Sequence, residues 1–178
     1  MMIMFLVAAA LCNGYCPRHL DLLAELAGLK RGSITLLDLE TGETHIEVAH
    51  GISPREKTRG KYKLGEGVTG KVIETGRPMA IPNIEREPLF LDRTGARSNV
   101  DQSKISFICV PIASEGVVIG ALSVDRVFQG MGTLQEDMRL LTVISGLIAQ
   151  KVVLLDQIGK ETNRLREENL RLRRNLDK

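Results

Sequence analysis

From Leu155 to the C-terminus, apolar and small polar residues recur at alternating three- and four-residue steps: Leu155, Ile158, Thr162, Leu165, Asn169, Leu172 and Leu176. That period is a coiled-coil seam, which one helix cannot satisfy alone. Leu155, Thr162, Asn169 and Leu176 take position a; Ile158, Leu165 and Leu172 take position d. Glu161 and Glu168 then fall at g, and Arg166 and Arg173 at e. In a parallel pair, Glu161 meets the partner's Arg166 and Glu168 meets the partner's Arg173. A lone Asn at an a position favours two parallel strands in register, at some cost in stability. The chain is therefore expected to form a homodimer through its last helix.

The 178 residues leave room for one domain besides this seam. Hydrophobic content of 43% supports a real core, and 3% aromatics without Trp make that core aliphatic. A net charge of +2 with no basic block outside the last helix argues against a nucleic-acid surface. Arg164, Arg166, Arg171, Arg173 and Arg174 cluster, but glutamates interleave with them, as on the solvated flank of a coiled coil. Cys12, Cys16 and Cys109 form no disulfide framework, which suits a reducing cytoplasm. Cys12 and Cys16 share metal-pair spacing but have no second pair, so no metal site is expected. Met1 to Leu11 is apolar, too short to span a bilayer, and lacks the basic start of a signal peptide. It is expected to pack as a helix on the domain or on the second copy.

Along the chain, His19 to Leu29 continues a helical pattern. Ser33 to Leu39 and Thr44 to His50 form a first hairpin, with Thr44, Ile46, Val48 and His50 on one face of its second strand. Ser53 caps a short helix with Pro54 at its first position. Leu64 to Gly70 is a glycine-rich turn into a helix over Val68 to Glu74, ended by Gly76. Met79 to Ile81 is a short strand. Ile84 to Gln102 is a long polar loop carrying Leu89, Phe90 and Leu91, tucked in by that apolar triplet. Ile105 to Ile112 and Val117 to Val124 are the strongest strands, apolar on both faces and so covered on both. A helix on one side and the long loop on the other would enclose a pocket. A final helix begins at Thr133 with a Thr133–Glu136 capping box. Its stripe of Leu140, Leu141, Ile144, Leu147, Ile148 and Val152 is expected to pack on the sheet, and Gly159, near the change from stripe to seam, is a soft point.

No catalytic constellation stands out. His45 and His50 point to opposite faces of one strand and cannot share a ligand. Leu64 to Lys71 lacks the spacing of a phosphate loop, so its glycines read as turn geometry. The loop run Asp92-Arg93-Thr94-Gly95-Ala96-Arg97 is more informative. Two guanidiniums and a hydroxyl beside Phe90 could clamp a small dianion. Alternatively Asp92 pairs with Arg93 or Arg97, or these pair with Glu85 and Glu87, and the run merely pins the loop. Candidate ligand-binding residues are Phe90, Asp92, Arg93, Thr94 and Arg97, with Phe107 and Cys109 from the following strand.

Lys61 to Val72 and Glu74 to Pro78 resemble the middle of a GAF domain. Glu87-Pro88-Leu89-Phe90-Leu91-Asp92-Arg93-Thr94-Gly95-Ala96, Ser106 to Ile112 and Ile119 to Arg126 are more specific. They are similar to the N-terminal sensory GAF domain of the NifA family of sigma-54-dependent nitrogen-fixation activators. The resemblance implies an α/β (α+β) fold: an antiparallel sheet of about six strands, helices on one face, a pocket on the other, then a long C-terminal coiled-coil helix. It divides the chain into an apolar helical segment (1–30), a GAF domain (31–153) and a coiled-coil signalling helix (154–178). It implies a cytoplasmic, non-enzymatic sensor that relays nitrogen status through a small effector such as 2-oxoglutarate, or through NifL or PII-type partners, to an ATPase acting on sigma-54 polymerase. No Walker or helix-turn-helix motif is present, so the chain is expected to be a fragment or a free-standing sensor that contacts neither nucleic acid nor membrane. The family's long first helix is replaced by Met1 to Pro17. The cyclic-nucleotide motif of other GAF domains is not visible. Two other readings remain open: a dimerisation module without ligand, and a GAF-fold methionine sulfoxide reductase, which needs a poised cysteine and a resolving partner.

Overall fold

The computed structural model describes residues 30–39 and 41–176. Met1 to Leu29, with Cys12 and Cys16, lie outside the described residues. Six strands form one antiparallel sheet: β1 (Arg31–Leu37), β2 (Glu43–His50), β3 (Tyr62–Lys63), β4 (Met79–Ile81), β5 (Ile105–Ser114) and β6 (Val117–Val127), in the order β3-β2-β1-β6-β5-β4. Among the described residues, three α-helices accompany them: α1 (Pro54–Arg59), α2 (Gly67–Thr75) and α3 (Met131–Leu176).

Local chemistry explains most element ends. Ser53 and Glu56 form a reciprocal capping box with Pro54 in the first turn of α1. Gly76 ends α2 in the left-handed conformation, φ 64°. Glu115 and Gly116, both at positive φ, make the tight turn between β5 and β6. α3 starts earlier than the Thr133 cap predicts. Gly130, at φ 117°, turns the chain, and its carbonyl accepts from Leu134, so Thr133 lies inside the first turn.

β5 and β6 are buried on both faces, as their composition requires. Ile108, Val110, Ile112, Leu122 and Val124 join Ile34 and Leu36 in a core closed by Leu134, Leu141, Ala149 and Val152 of α3. Ile105, Phe107, Cys109 and Ala121 form a second core with Val68, Val72 and Ile73 of α2. Helices therefore lie on both faces of the sheet. The long loop shares the second face with α2, contributing Ile84, Phe90 and Val100.

Two expectations about facing residues are corrected. A bulge in β2 puts Ile34 opposite Val48 but Thr35 opposite Ile46, leaving Glu47 as the extra residue. Val48 consequently enters the α3-side core, while Ile46 turns to the opposite face, and His45, paired with Leu36, comes to the same face as His50, contrary to the expected alternation. On α3, Leu140 and Leu147 are 53% and 61% exposed. At about 100° per residue they stand roughly a quarter-turn or more round from Leu141, Ala149 and Val152, the side that meets the sheet. α3 has the length and apolarity of a membrane-crossing helix, but one of its apolar sides is part of this core.

The glycines of the turn into α2 are geometric. A Cβ on Gly70 would strike the Lys63 carbonyl oxygen, whereas Gly146 in α3 has open space around it. Gly70→Ala should cost about 1–3 kcal/mol through overpacking. Gly146→Ala should instead stabilise by up to about 1 kcal/mol through helix propensity. Urea unfolding of the two variants measures both.

Candidate functional site

The face of the sheet away from α3 carries polar side chains between the aliphatic ones. Ser33 and Thr35 of β1 and Ser123 of β6 alternate with Ile34, Leu122 and Val124, and all three hydroxyls are buried. Ser33 Oγ and Ser123 Oγ are 2.8 Å apart and share a hydrogen bond. Above them lies a small cleft, partly open to solvent. Val68 and Thr69 of α2, Ile46 and Tyr62 form part of its wall, and Phe90, Leu91, Asp92, Thr94 and Arg97 of the long loop complete it.

Arg97 organises this loop. Its Nε donates to Asp125 Oδ2 at 2.9 Å and its Nη2 to Asp125 Oδ1 at 2.7 Å, a bidentate pair. Its Nη1 donates to Asp92 Oδ1 at 2.9 Å and to Thr94 Oγ1 at 3.3 Å. The guanidinium also lies 4.9 Å from the Phe90 ring centroid and 5.5 Å from that of Phe107. These two rings meet edge-on with centroids 5.0 Å apart. Asp125 is wholly buried on β6, with Arg31 a second cation at 3.6 Å. Burial works to lower the Arg97 pKa, but the Asp125 and Asp92 carboxylates outweigh it and hold the guanidinium charged. Asp92 adopts φ 38°, a left-handed conformation uncommon outside glycine.

Five of the seven candidate residues converge here: Phe90, Asp92, Thr94, Arg97 and Phe107 all line the cleft. Arg93 and Cys109 do not. Arg93 turns outward to pair with Glu66, over the Tyr62 ring. Cys109 is fully buried in the second core, and burial pushes its thiol up to about 12, only partly offset by a hydrogen bond with Thr69. Of the two readings of the loop run, internal pairing describes Arg97 and Asp92 in this conformation. Glu85 and Glu87 do not supply the partner; Asp125, which motif reading missed, does. Ser33, Thr35, Tyr62, Thr69 and Ser123 were missed too. Their signal was polar residues alternating with aliphatic ones in otherwise buried strands.

A buried ion pair that loses one member leaves an uncompensated charge, so Arg97→Met should destabilise by about 3–5 kcal/mol. Arg97→Met with Asp125→Leu should recover most of that loss. A double-mutant cycle by chemical denaturation checks it, and additive losses would mean the two groups do not act as a pair.

The GAF domain family model matches residues 15–152. Nitrogen fixation protein VnfA of Azotobacter vinelandii is 40% identical over 144 residues, 80% of this chain and 28% of its own length. Nitrogen fixation protein AnfA of the same organism is 36% identical over 169 residues, 95% of this chain and 30% of its own. The Nif-specific regulatory protein of Azospirillum brasilense is 35% identical over 150 residues, 83% of this chain and 24% of its own. The chain thus spans less than a third of the length of these relatives. The A. aeolicus nlh2 GAF domain in an inactive state superposes with a TM-score of 0.72 at 24% identity, over 86% of this chain and 96% of that one. Free methionine-R-sulfoxide reductase from Neisseria meningitidis superposes with a TM-score of 0.66 at 19% identity, over 88% and 89%. At these identities the structural likeness speaks for the fold alone. By its family match, its sheet and its relatives, the chain belongs to the GAF domain family and is homologous to part of the Nif-specific regulators.

Proposed function

We propose that this chain is the sensory module of a NifA-like sigma-54-dependent activator, a cytoplasmic, non-enzymatic homodimer that senses nitrogen status through its cleft. Similarity to VnfA, AnfA and the Nif-specific regulators supports the regulatory role. The observation that carries the sensing role is the cleft itself, roofed by a loop that Arg97 ties to β6. The proposed effector is a small dicarboxylate such as 2-oxoglutarate. Arg97 keeps Asp125 on its Nε–Nη2 edge, and an incoming carboxylate takes the Nη1 edge now held by Asp92. The buried hydroxyls of Ser33, Thr35, Thr69 and Ser123 supply further polar contacts. Displacing Asp92 frees the loop, and that is the signal. NifL or PII-type proteins are the proposed macromolecular partners, and α3 is the proposed output and dimerisation element.

The fold also occurs in methionine sulfoxide reductases, but Cys109 is poorly suited to that chemistry. The thiolate is the nucleophile, and this thiol is buried with its pKa pushed up to about 12. Native protein treated with iodoacetamide at neutral pH should leave Cys109 unmodified by peptide mass spectrometry, and urea should expose it. Rapid native alkylation would reopen the enzyme reading.

Calorimetric titration with 2-oxoglutarate tests the ligand. Saturable heat is expected, abolished in the fold-preserving pair Arg97→Met with Asp125→Leu. Asp92→Asn removes the internal competitor and should tighten binding by about tenfold, roughly 1.4 kcal/mol. No heat with the unaltered chain would overturn the 2-oxoglutarate assignment and favour a dimerisation module without ligand.

A further inference from the structure

α2 begins inside the protein without a cap. Gly67, Val68, Thr69 and Gly70 are all buried. Glu66, at the N-cap, makes no side-chain hydrogen bond to the first turn, and no acidic residue lies in that turn. Its carboxylate turns away: one oxygen accepts from the Lys63 amide at 3.0 Å and the other pairs with Arg93. The Gly70 amide closes the first helical bond, to the Glu66 carbonyl. The amides of Gly67, Val68 and Thr69 have no acceptor among the described residues. Water satisfies such groups at an exposed helix end, but at a buried end they are costly. The positive end of the helix dipole is left uncompensated too. Leu89 and Leu91 of the long loop close over it, so that a Cβ on Gly67 would come within 3.2 Å of Leu91 Cδ1 and 3.3 Å of the Leu89 carbonyl oxygen.

The sheet supplies an independent sign. Val68, Thr69 and Thr35 of β1 line the same cleft. Thr35 stands opposite Ala121 in the β1–β6 register, and Ala121 packs with Val68 and Val72, so Thr35 lies on the stretch of sheet that α2 covers. It is 2% exposed. Neighbouring hydroxyls are occupied: Ser33 and Ser123 hold each other, and Thr69 bonds Cys109. The Thr35 hydroxyl has no hydrogen-bond partner among the described residues. Leaving a hydroxyl unpaired at such depth is unfavourable unless something else fills the site.

We propose that the N-terminus of α2 and the Thr35 hydroxyl form a second anion subsite, which takes one carboxylate of a dicarboxylate while Arg97 takes the other. The assignment rests on the sensing role proposed above. The carboxylate accepts from the Val68 and Thr69 amides and from Thr35, donors that the unliganded protein leaves unused. Arg97 alone does not tell a dicarboxylate from a monocarboxylate; a second anion subsite does. A ligand lacking the second carboxylate would leave these buried donors unpaired, which is how a polar site rejects an analogue most strongly.

Amide NMR and calorimetry on the full chain test this. The probes are 2-oxoglutarate, inorganic sulfate, and 2-oxovalerate, which carries a methyl group in place of the distal carboxylate. With 2-oxoglutarate, the Val68 and Thr69 amide protons should move downfield and saturate, and 2-oxovalerate should bind at least about tenfold more weakly. Thr35→Val should weaken 2-oxoglutarate about tenfold without loss of stability, because it removes an unpartnered hydroxyl, and Thr35→Ser should restore binding. Binding of 2-oxoglutarate with both amides unmoved and Thr35→Val unaffected overturns the subsite and leaves the sensing role standing. If 2-oxoglutarate gives no heat, sulfate decides. Saturable shifts of the two amides, lost in Thr35→Val, keep the anion subsite and overturn the dicarboxylate as its ligand; no shift with sulfate overturns the subsite as well.

Discussion

β5 and β6 have no solvent face, and the architecture follows from that constraint. Their side chains alternate between two cores, one closed by α3 and the other by α2 and the long loop. A strand pair buried on both sides transmits displacement between its covers, because packed interiors have few voids to absorb it. Phe107 faces the loop and Ile108 faces α3, one residue apart. The cleft and the seam helix are thus opposite sides of one layer.

Within that layer the Arg97–Asp125 pair is the strongest specific tie. It joins an irregular loop to a central strand across 28 residues of sequence. The pair is bidentate, buried and stacked against Phe90 and Phe107, and so anchors the loop to β6. Asp92 holds the remaining edge of the guanidinium from a strained backbone conformation. Under the proposed function, a ligand opens this element by replacing the Asp92 contact.

Much of this was legible in the sequence because it depends on local chemistry. The apolar runs of β5 and β6, the Ser53–Glu56 capping box, the Gly76 stop and the turn at Glu115 and Gly116 each carry their own signal. The loop was legible as a segment tucked against the sheet, and five of the seven candidate residues meet at the cleft. What escaped depends on contacts distant in sequence. Asp125 is one acidic residue in an apolar strand, and nothing local names its partner. The bulge at Glu47 sends Ile46 and Val48 to opposite faces, which a period of two cannot express. The broad stripe on α3 read as one sheet-packing face because hydrophobicity does not distinguish burial against the sheet from exposure. Leu155 and Leu176 lie in α3, with side chains outside the described residues.

The central claim is that loop and helix are coupled through the strands between them. Amide hydrogen exchange, read by mass spectrometry on the unliganded chain and on Asp92→Asn, tests it most directly. The substitution weakens the loop's Asp92 contact with Arg97 while keeping both Arg97–Asp125 hydrogen-bonding groups and α3 unaltered. The account predicts faster exchange both in residues 88–100 and in the sheet-facing stretch of α3 from 138 to 152. Faster exchange confined to the loop, with α3 unchanged, would contradict it.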